Sequence, residues 1–285
     1  MPLVPFLLGR FHPARLAQRT ERQAVAAFPP WQRLLRPHLR TDAASVDGGF
    51  RPLAVRHPGH HGGRFHGWNR NAEMAVEAFE AGRGPYGDVQ RLACGHSFGG
   101  VLSSLVLARH PTLFARAVLL DPVLFTPAMI GVMALSETLG LQLRGSLAKK
   151  ARLRRSQWPD RAAAYAGLRG RGIFKGWTDE ALWAYVEYAL KESDGGVELK
   201  CRPSREAEIF SSFPRRLWPS LGKIITPTRV LYGDRTYPFV AKSVARWCSL
   251  NPQVSAHVVV GGHCFMQEDP ADAAERVRDF LLPNP

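Results

Sequence analysis

The chain has 285 residues, 45% of them hydrophobic and 22% charged, a balance that supplies a core and excludes a disordered tail or a fibrous repeat. The length suits one large domain, or one domain carrying an insertion, and no apolar run reaches the ~18 residues of a membrane span. The formal net charge of +14 would suit a polyanion partner if it covered one face, but it is confined: residues 8–72 hold 11 Arg, no Lys and 3 acids, residues 144–175 hold 10 basic residues and 1 acid, and the remainder is slightly acidic.

In chain order, Met1-Pro-Leu-Val-Pro-Phe-Leu-Leu8 is apolar but short, without a basic leader or cleavage site, and is not read as a signal peptide. Cys94, Cys201, Cys248 and Cys264 have no paired spacing, so reduced thiols and a cytoplasmic location are expected. Residues 8–72 carry 6 of the 10 His, 6 Pro and 7 Gly with little strand-like alternation. They read either as a diverged, loop-rich region or as a stretch translated out of frame.

From Val89-Gln-Arg-Leu-Ala-Cys94 the pattern is regular: a buried strand, a helix from Phe98 to His110 stopped by Pro111, and a strand from Ala115 to Leu120 ended by Asp121-Pro122. Strand, helix and strand in this rhythm predict a parallel sheet. Residues 123–222 lose the rhythm and read as helical. Helices are expected over 161–167 and 178–190, the second capped by Thr178 with Trp183 and Val186 on one face. In the run Lys149-Lys-Ala-Arg-Leu-Arg-Arg155 the arginines are expected in water and Leu153 inward. The rhythm returns as strand Thr228–Tyr232, helix Val240–Leu250, strand Ala256–Val260 and helix Ala271–Leu282. The expected architecture is α/β, a mostly parallel central sheet flanked by helices. Residues 1–122 and 223–285 form its two parts, with a helical cap over 123–222.

The chemistry starts at Gly95-His96-Ser97-Phe98-Gly99-Gly100. A G-x-S-x-G between an apolar strand and an apolar helix suits a nucleophile on a sharp turn, where neighbours must lack bulk. The Phe98 N–H would then serve as one oxyanion donor. A serine hydroxyl needs a base, and His263, in Gly261-Gly-His-Cys-Phe265 after the last strand, is placed to reach back. His257 reads as structural, and His96 as the variable elbow position, pointing elsewhere. For the acid that orients His263, Asp234 in Tyr232-Gly-Asp-Arg235 is the first choice and Asp121 the alternative, since each follows a strand.

These motifs resemble the α/β-hydrolase superfamily, from about Val89 to the C-terminus. The resemblance rests on the elbow Gly95–Gly100, on Leu231-Tyr-Gly-Asp234, and on Gly261-Gly-His-Cys-Phe-Met266 followed by Glu268-Asp-Pro270. The insertion looks like the cap of bacterial esterase-like hydrolases. The resemblance implies a serine hydrolase that cleaves an ester-like bond of a small, largely apolar substrate. A second oxyanion donor is expected in the turn Gly9-Arg10-Phe11, which lacks the superfamily's His-Gly; Arg56-His-Pro-Gly-His-His-Gly62 lacks the Asp of a related turn. A non-catalytic relative with a defective oxyanion hole, or a thioester, lactone or carbon–carbon hydrolase on the same triad, are the alternatives. Trp158, Trp177 and Trp183 are proposed to line the substrate pocket, against the simpler reading that they pack the cap on the core. No cofactor is expected, since there is no dinucleotide fingerprint and no metal-ligand spacing around His57, His60, His61 and His66. Nucleic-acid binding is not expected either, because no reading helix or stacking platform accompanies the charge.

Overall fold

The computed structural model describes residues 65–82, 90–141 and 145–282, together with the backbone of Ala24–Val25. Gly9-Arg10-Phe11 and His57, His60 and His61 therefore lie outside the described residues. The strands are β1 (Ala24–Val25), β2 (Gln90–His96), β3 (Arg116–Leu120), β4 (Gln157–Trp158), β5 (Leu190–Ser193), β6 (Gly196–Leu199), β7 (Thr228–Gly233) and β8 (Val254–Val259). Among the described residues β1-β2-β3-β7-β8 form a sheet in which every neighbouring pair is parallel.

Alternation across the sheet sends its two faces to different partners. Ala93, Ala117, Leu119 and Val230 face one core with α1 (Trp68–Gly82) and α2 (Phe98–Arg109). Leu92, Cys94, Val118, Leu120 and Leu231 face the other. Because both faces are covered, the strands are apolar on both, as parallel strands require. The register pairs His96 with Leu120 and Leu120 with Leu231, so β2 and β3 end level while β7 runs on to Gly233, and their following residues share one edge.

Residues 123–222 hold α3 (Pro127–Thr138), α4 (Ser146–Arg152), α5 (Arg161–Leu168), α6 (Asp179–Ala189), α7 (Pro203–Phe210) and α8 (Leu217–Leu221). The segment is not helical throughout: β4, β6 and β5 form a small antiparallel sheet, turned by Asp194-Gly195, a hairpin signal in the sequence. Thr178 caps α6 by accepting the Ala181 N–H. Val186 is buried, but Trp183 is 44% exposed and stacks on Tyr165, so the two do not share an inward face. Arg152 and Arg155 are exposed as the sequence reading has them, but residues 153 and 154 exchange places relative to it. Leu153 is 76% exposed, while Arg154 turns inward to bond both oxygens of the buried Glu206 at 2.6 and 2.8 Å. The helix ends at Arg152, so helical periodicity no longer sets the direction of residues 153–155, and a buried carboxylate demands a charged donor.

The chain closes with α9 (Pro238–Leu250), α10 (Phe265–Glu268) and α11 (Pro270–Leu281), α9 on the first core and α11 on the second. β8 is the sheet's edge among the described strands, and His257 on it is exposed and not part of a core. Cys94 and Cys264 are buried, Cys201 and Cys248 half-buried, and all four are free thiols. No described helix is long and apolar enough to cross a membrane.

Asn251 closes the α9–β8 turn. Its buried amide donates to the Leu221 and Ile224 carbonyls at 2.9 and 2.8 Å, and its oxygen accepts the Gln253 N–H at 2.9 Å. Asn251→Ala strands those backbone groups and should cost about 2–3 kcal/mol, read as a lower urea midpoint at unchanged slope.

Candidate active site

Ser97 follows β2 and precedes α2 with φ 55 and ψ −118, a conformation costly for any residue with a side chain. The turn tolerates no bulk. A Cβ on Gly95 would lie 2.4 Å from Ser103 Oγ and 2.7 Å from the Gly99 carbonyl, and one on Gly100 would lie 2.9 Å from Pro122 Cβ. The Ser97 N–H continues the β2–β3 ladder by donating to Leu120 O at 3.0 Å. Phe98 buries its ring against Trp68, with centroids 4.6 Å apart, and this seats the N-terminus of α2 beside Ser97.

Asp121 stands one residue past β3, fully buried and with φ 43. Its N–H extends the ladder to Leu231 O at 2.7 Å. Oδ2 accepts the Gly233 N–H at 2.9 Å, and Oδ1 accepts the Thr236 hydroxyl at 2.6 Å and lies 2.7 Å from His263 Nδ1. An ionised carboxylate only accepts, so Nδ1 carries the hydrogen and Nε2 is left to accept from Ser97 Oγ, 2.9 Å away. The arrangement is a continuous chain, Ser97 to His263 to Asp121, with all three buried.

The structure thus brings together Ser97, His263 and the alternative acid. Asp234 does not reach His263: its Oδ1 accepts the Gly261 N–H at 2.8 Å, and the side chain is 44% exposed beside Arg235. Asp121 leaves its strand inward on a positive φ, whereas Asp234 turns onto the loop that carries His263. His96 does not point away. It is buried, its ring centroid lies 4.8 Å from that of His263, and Nε2–H donates to the His263 carbonyl at 2.9 Å. Its Nδ1 is buried without a partner.

The tryptophans divide. Trp158 is buried with Val186, Leu190, Val197 and Leu199 inside the insertion's own core, and Trp183 is on the outside, so neither lines the site. Trp177 packs between Phe174 and Tyr185 and against the core that holds Cys264 and Phe265. Beside His263 stands instead a row of rings the sequence did not single out: Tyr237 at 5.2 Å, Phe239 at 5.7 Å from Tyr237, and Phe125 at 6.2 Å from Phe239. Pro238 between the first two, starting a helix just past the Asp234 turn, was the available signal. Among the described residues no group of three or more His, Cys, Asp or Glu side chains could hold a metal ion.

The profile of the Alpha/beta hydrolase family matches residues 22–276. Among solved structures the chain is similar to E-2-(acetamidomethylene)succinate hydrolase, at 18% identity over 88% of this chain and 86% of that one, with a TM-score of 0.64. It is also similar to the thioesterase domain from the curacin biosynthetic pathway, at 18% identity over 87% and 85%, TM-score 0.60. A third likeness is to an esterase of M. tuberculosis, at 19% identity over 82% and 76%, TM-score 0.57. At these identities the likeness is one of fold. No curated protein matches the chain in sequence.

Burial, and then the neighbouring His263, push His96 down to about 3 from its ordinary 6.5, against the opposing hydrogen bond to the His263 carbonyl. The unfolded chain therefore binds a proton near pH 6.5 that the folded chain refuses until about pH 3. Stability should fall as pH drops through that window, by at most about 1.4 kcal/mol per pH unit from this group. His96→Gln should flatten the acid limb of unfolding free energy measured between about pH 4 and pH 7; an unaltered slope would assign the limb to other groups.

Proposed function

From the premise that the chain belongs to the alpha/beta hydrolase family, we propose that it is a serine hydrolase cleaving an ester-like bond of a small, largely apolar substrate. The observation that carries this reading is the hydrogen-bonded chain Ser97–His263–Asp121. His263 Nε2 takes the proton from Ser97 Oγ as Oγ bonds to the carbonyl carbon. The carbonyl oxygen becomes an oxyanion, and the Phe98 N–H at the start of α2 donates to it; the second donor expected from Gly9-Arg10-Phe11 lies outside the described residues. Collapse expels the leaving alkoxide, which takes the proton from His263 and leaves an acyl group on Ser97. Water then repeats the cycle: it gives a proton to His263, attacks the acyl carbon and releases acid and free serine. Asp121 holds the imidazole in the tautomer this sequence needs and stabilises the imidazolium as it forms.

Support for an apolar substrate comes from the rings of Tyr237, Phe239 and Phe125, which extend an apolar wall from the base. Residues 123–222 act as the cap over this edge of the sheet, and Trp177 is the one proposed pocket tryptophan that stays near the seam.

Purified wild type should be labelled by a fluorophosphonate probe, and Ser97→Ala and His263→Ala should not. Asp121→Asn should lower kcat toward p-nitrophenyl acetate by about 10⁴-fold, the cost of the same change in other Ser-His-Asp triads, while Asp234→Asn retains most of it. The reverse ranking of the two aspartates would return the acid to Asp234.

A further inference from the structure

His263 sits in a segment, residues 260–264, that belongs to no strand or helix, yet its ring must hold two bonds of 2.7 and 2.9 Å at once. A loop side chain keeps such geometry only if its backbone is fixed from outside. Here the fixing is nearly complete. Gly261 donates to Asp234 Oδ1 at 2.8 Å and accepts from the Arg235 N–H at 2.9 Å. Gly262 donates to Glu268 Oε1 at 2.7 Å and accepts from Phe265 N–H at 3.0 Å. His263 accepts from His96, and Cys264 accepts from the Gln267 N–H at 2.8 Å.

Two of these anchors are carboxylates, and Arg235 ties them together. Its Nη2 donates to Glu268 Oε2 at 3.0 Å, and its Nη1 lies 3.5 Å from Asp234 Oδ1. The loop also has no room to slide. A Cβ on Gly233 would lie 2.4 Å from both the Gly261 and Gly262 carbonyls, and Gly261 has φ +138 with Phe265 Cβ 2.6 Å from where its own Cβ would be. Glu268 is the more sheltered carboxylate, 18% exposed against 44% for Asp234, so solvent screens it less. It also faces the insertion. A Cβ on Gly176, at φ +85, would lie 3.2 Å from Glu268 Cδ, and the neighbouring Thr178 N–H donates to Gln267 O at 2.9 Å.

We infer that Glu268, backed by Arg235 and Asp234, is a positioning residue for His263, clamping the loop backbone so that the imidazole spans Ser97 and Asp121. The inference rests on the reading of His263 as the base. It gives Asp234 a role one step removed from the chemistry. It also makes the seating of the insertion at Gly176 and Thr178 part of what holds the base.

The test compares Glu268→Ala, Glu268→Gln and Arg235→Met with wild type by p-nitrophenyl acetate kinetics and by ring ¹⁵N–¹H correlation spectra. His263 is assigned in the spectra through His263→Gln. Glu268→Ala should lower kcat about 10- to 100-fold with KM changed less than about two-fold, and should shift or broaden the His263 ring signals. Glu268→Gln keeps an oxygen for the Gly262 N–H and should restore most of the rate and the wild-type ring shifts. Arg235→Met, at an exposed position, should lie between wild type and Glu268→Ala in both readouts. Val244→Ala, buried on α9 in the first core, serves as a control for general destabilisation and should lower the melting temperature without moving the ring signals. Wild-type ring shifts and a kcat within about two-fold in both Glu268→Ala and Arg235→Met would overturn the clamp; if Glu268→Ala does not fold, Arg235→Met decides alone. A wild type inert toward the ester would instead overturn the hydrolase reading, and the ring spectra would still decide the clamp.

Discussion

A carboxylate withdrawn entirely from water is tolerated only when its oxygens are answered by donors, and Asp121 sets this condition at the centre of the molecule. Its donors come from three places: the end of β7 through Gly233, the turn after it through Thr236, and the last loop through His263. Each is brought there by the parallel register, which ends β2 and β3 level with one another and carries β7 on to Gly233 beside Asp121. The sheet edge and the side-chain chain are therefore one construction. Loss of any donor would leave a buried charge short of partners, so the carboxylate enforces the arrangement that surrounds it.

The insertion solves the same problem separately. Glu206 is as buried as Asp121, and it is answered by Arg154, whose Nη2 also donates to Tyr185 at 3.1 Å. Trp158 and the small antiparallel sheet form a core of their own, while Phe125, Ile209, Phe213, Leu217 and Leu221 join the main sheet's first core and Ala181 its second. Polar contacts add to this shared packing, among them Trp68 Nε1 to Ser212 Oγ at 3.0 Å and the Thr178 N–H to Gln267 O at 2.9 Å.

Ser97 and His263 were legible because their signals are local: small residues around a serine between strand and helix, and a histidine after the last strand. The sheet was legible from its apolar runs, and its strand and helix boundaries lie within a few residues of those read from the pattern. Which aspartate meets His263 was not legible. Asp121 and Asp234 both follow strands, and the choice depends on a backbone dihedral at residue 121 and on which loop N–H each carboxylate meets, neither of which composition records. Arg154 and Leu153 were misread because a helical period was carried past the helix end. The hairpin of β5 and β6 did carry its Asp-Gly turn, but Lys191, Glu192 and Glu198 obscured the strands with charge. His96 was missed because its partner, a carbonyl 167 positions away, exists only once the chain is folded.

The backbone at Ser97 and Asp121 has a further meaning. Both residues hold positive φ, a conformation that costs about 1–3 kcal/mol apiece and that glycine would adopt without penalty. Glycine at 97 would relieve that strain and lose the hydroxyl, whereas glycine at 121 would also leave the Gly233 N–H and the Thr236 hydroxyl without their acceptor. Ser97 and Asp121 are thus positions where backbone strain is carried together with a side chain that bonds to His263.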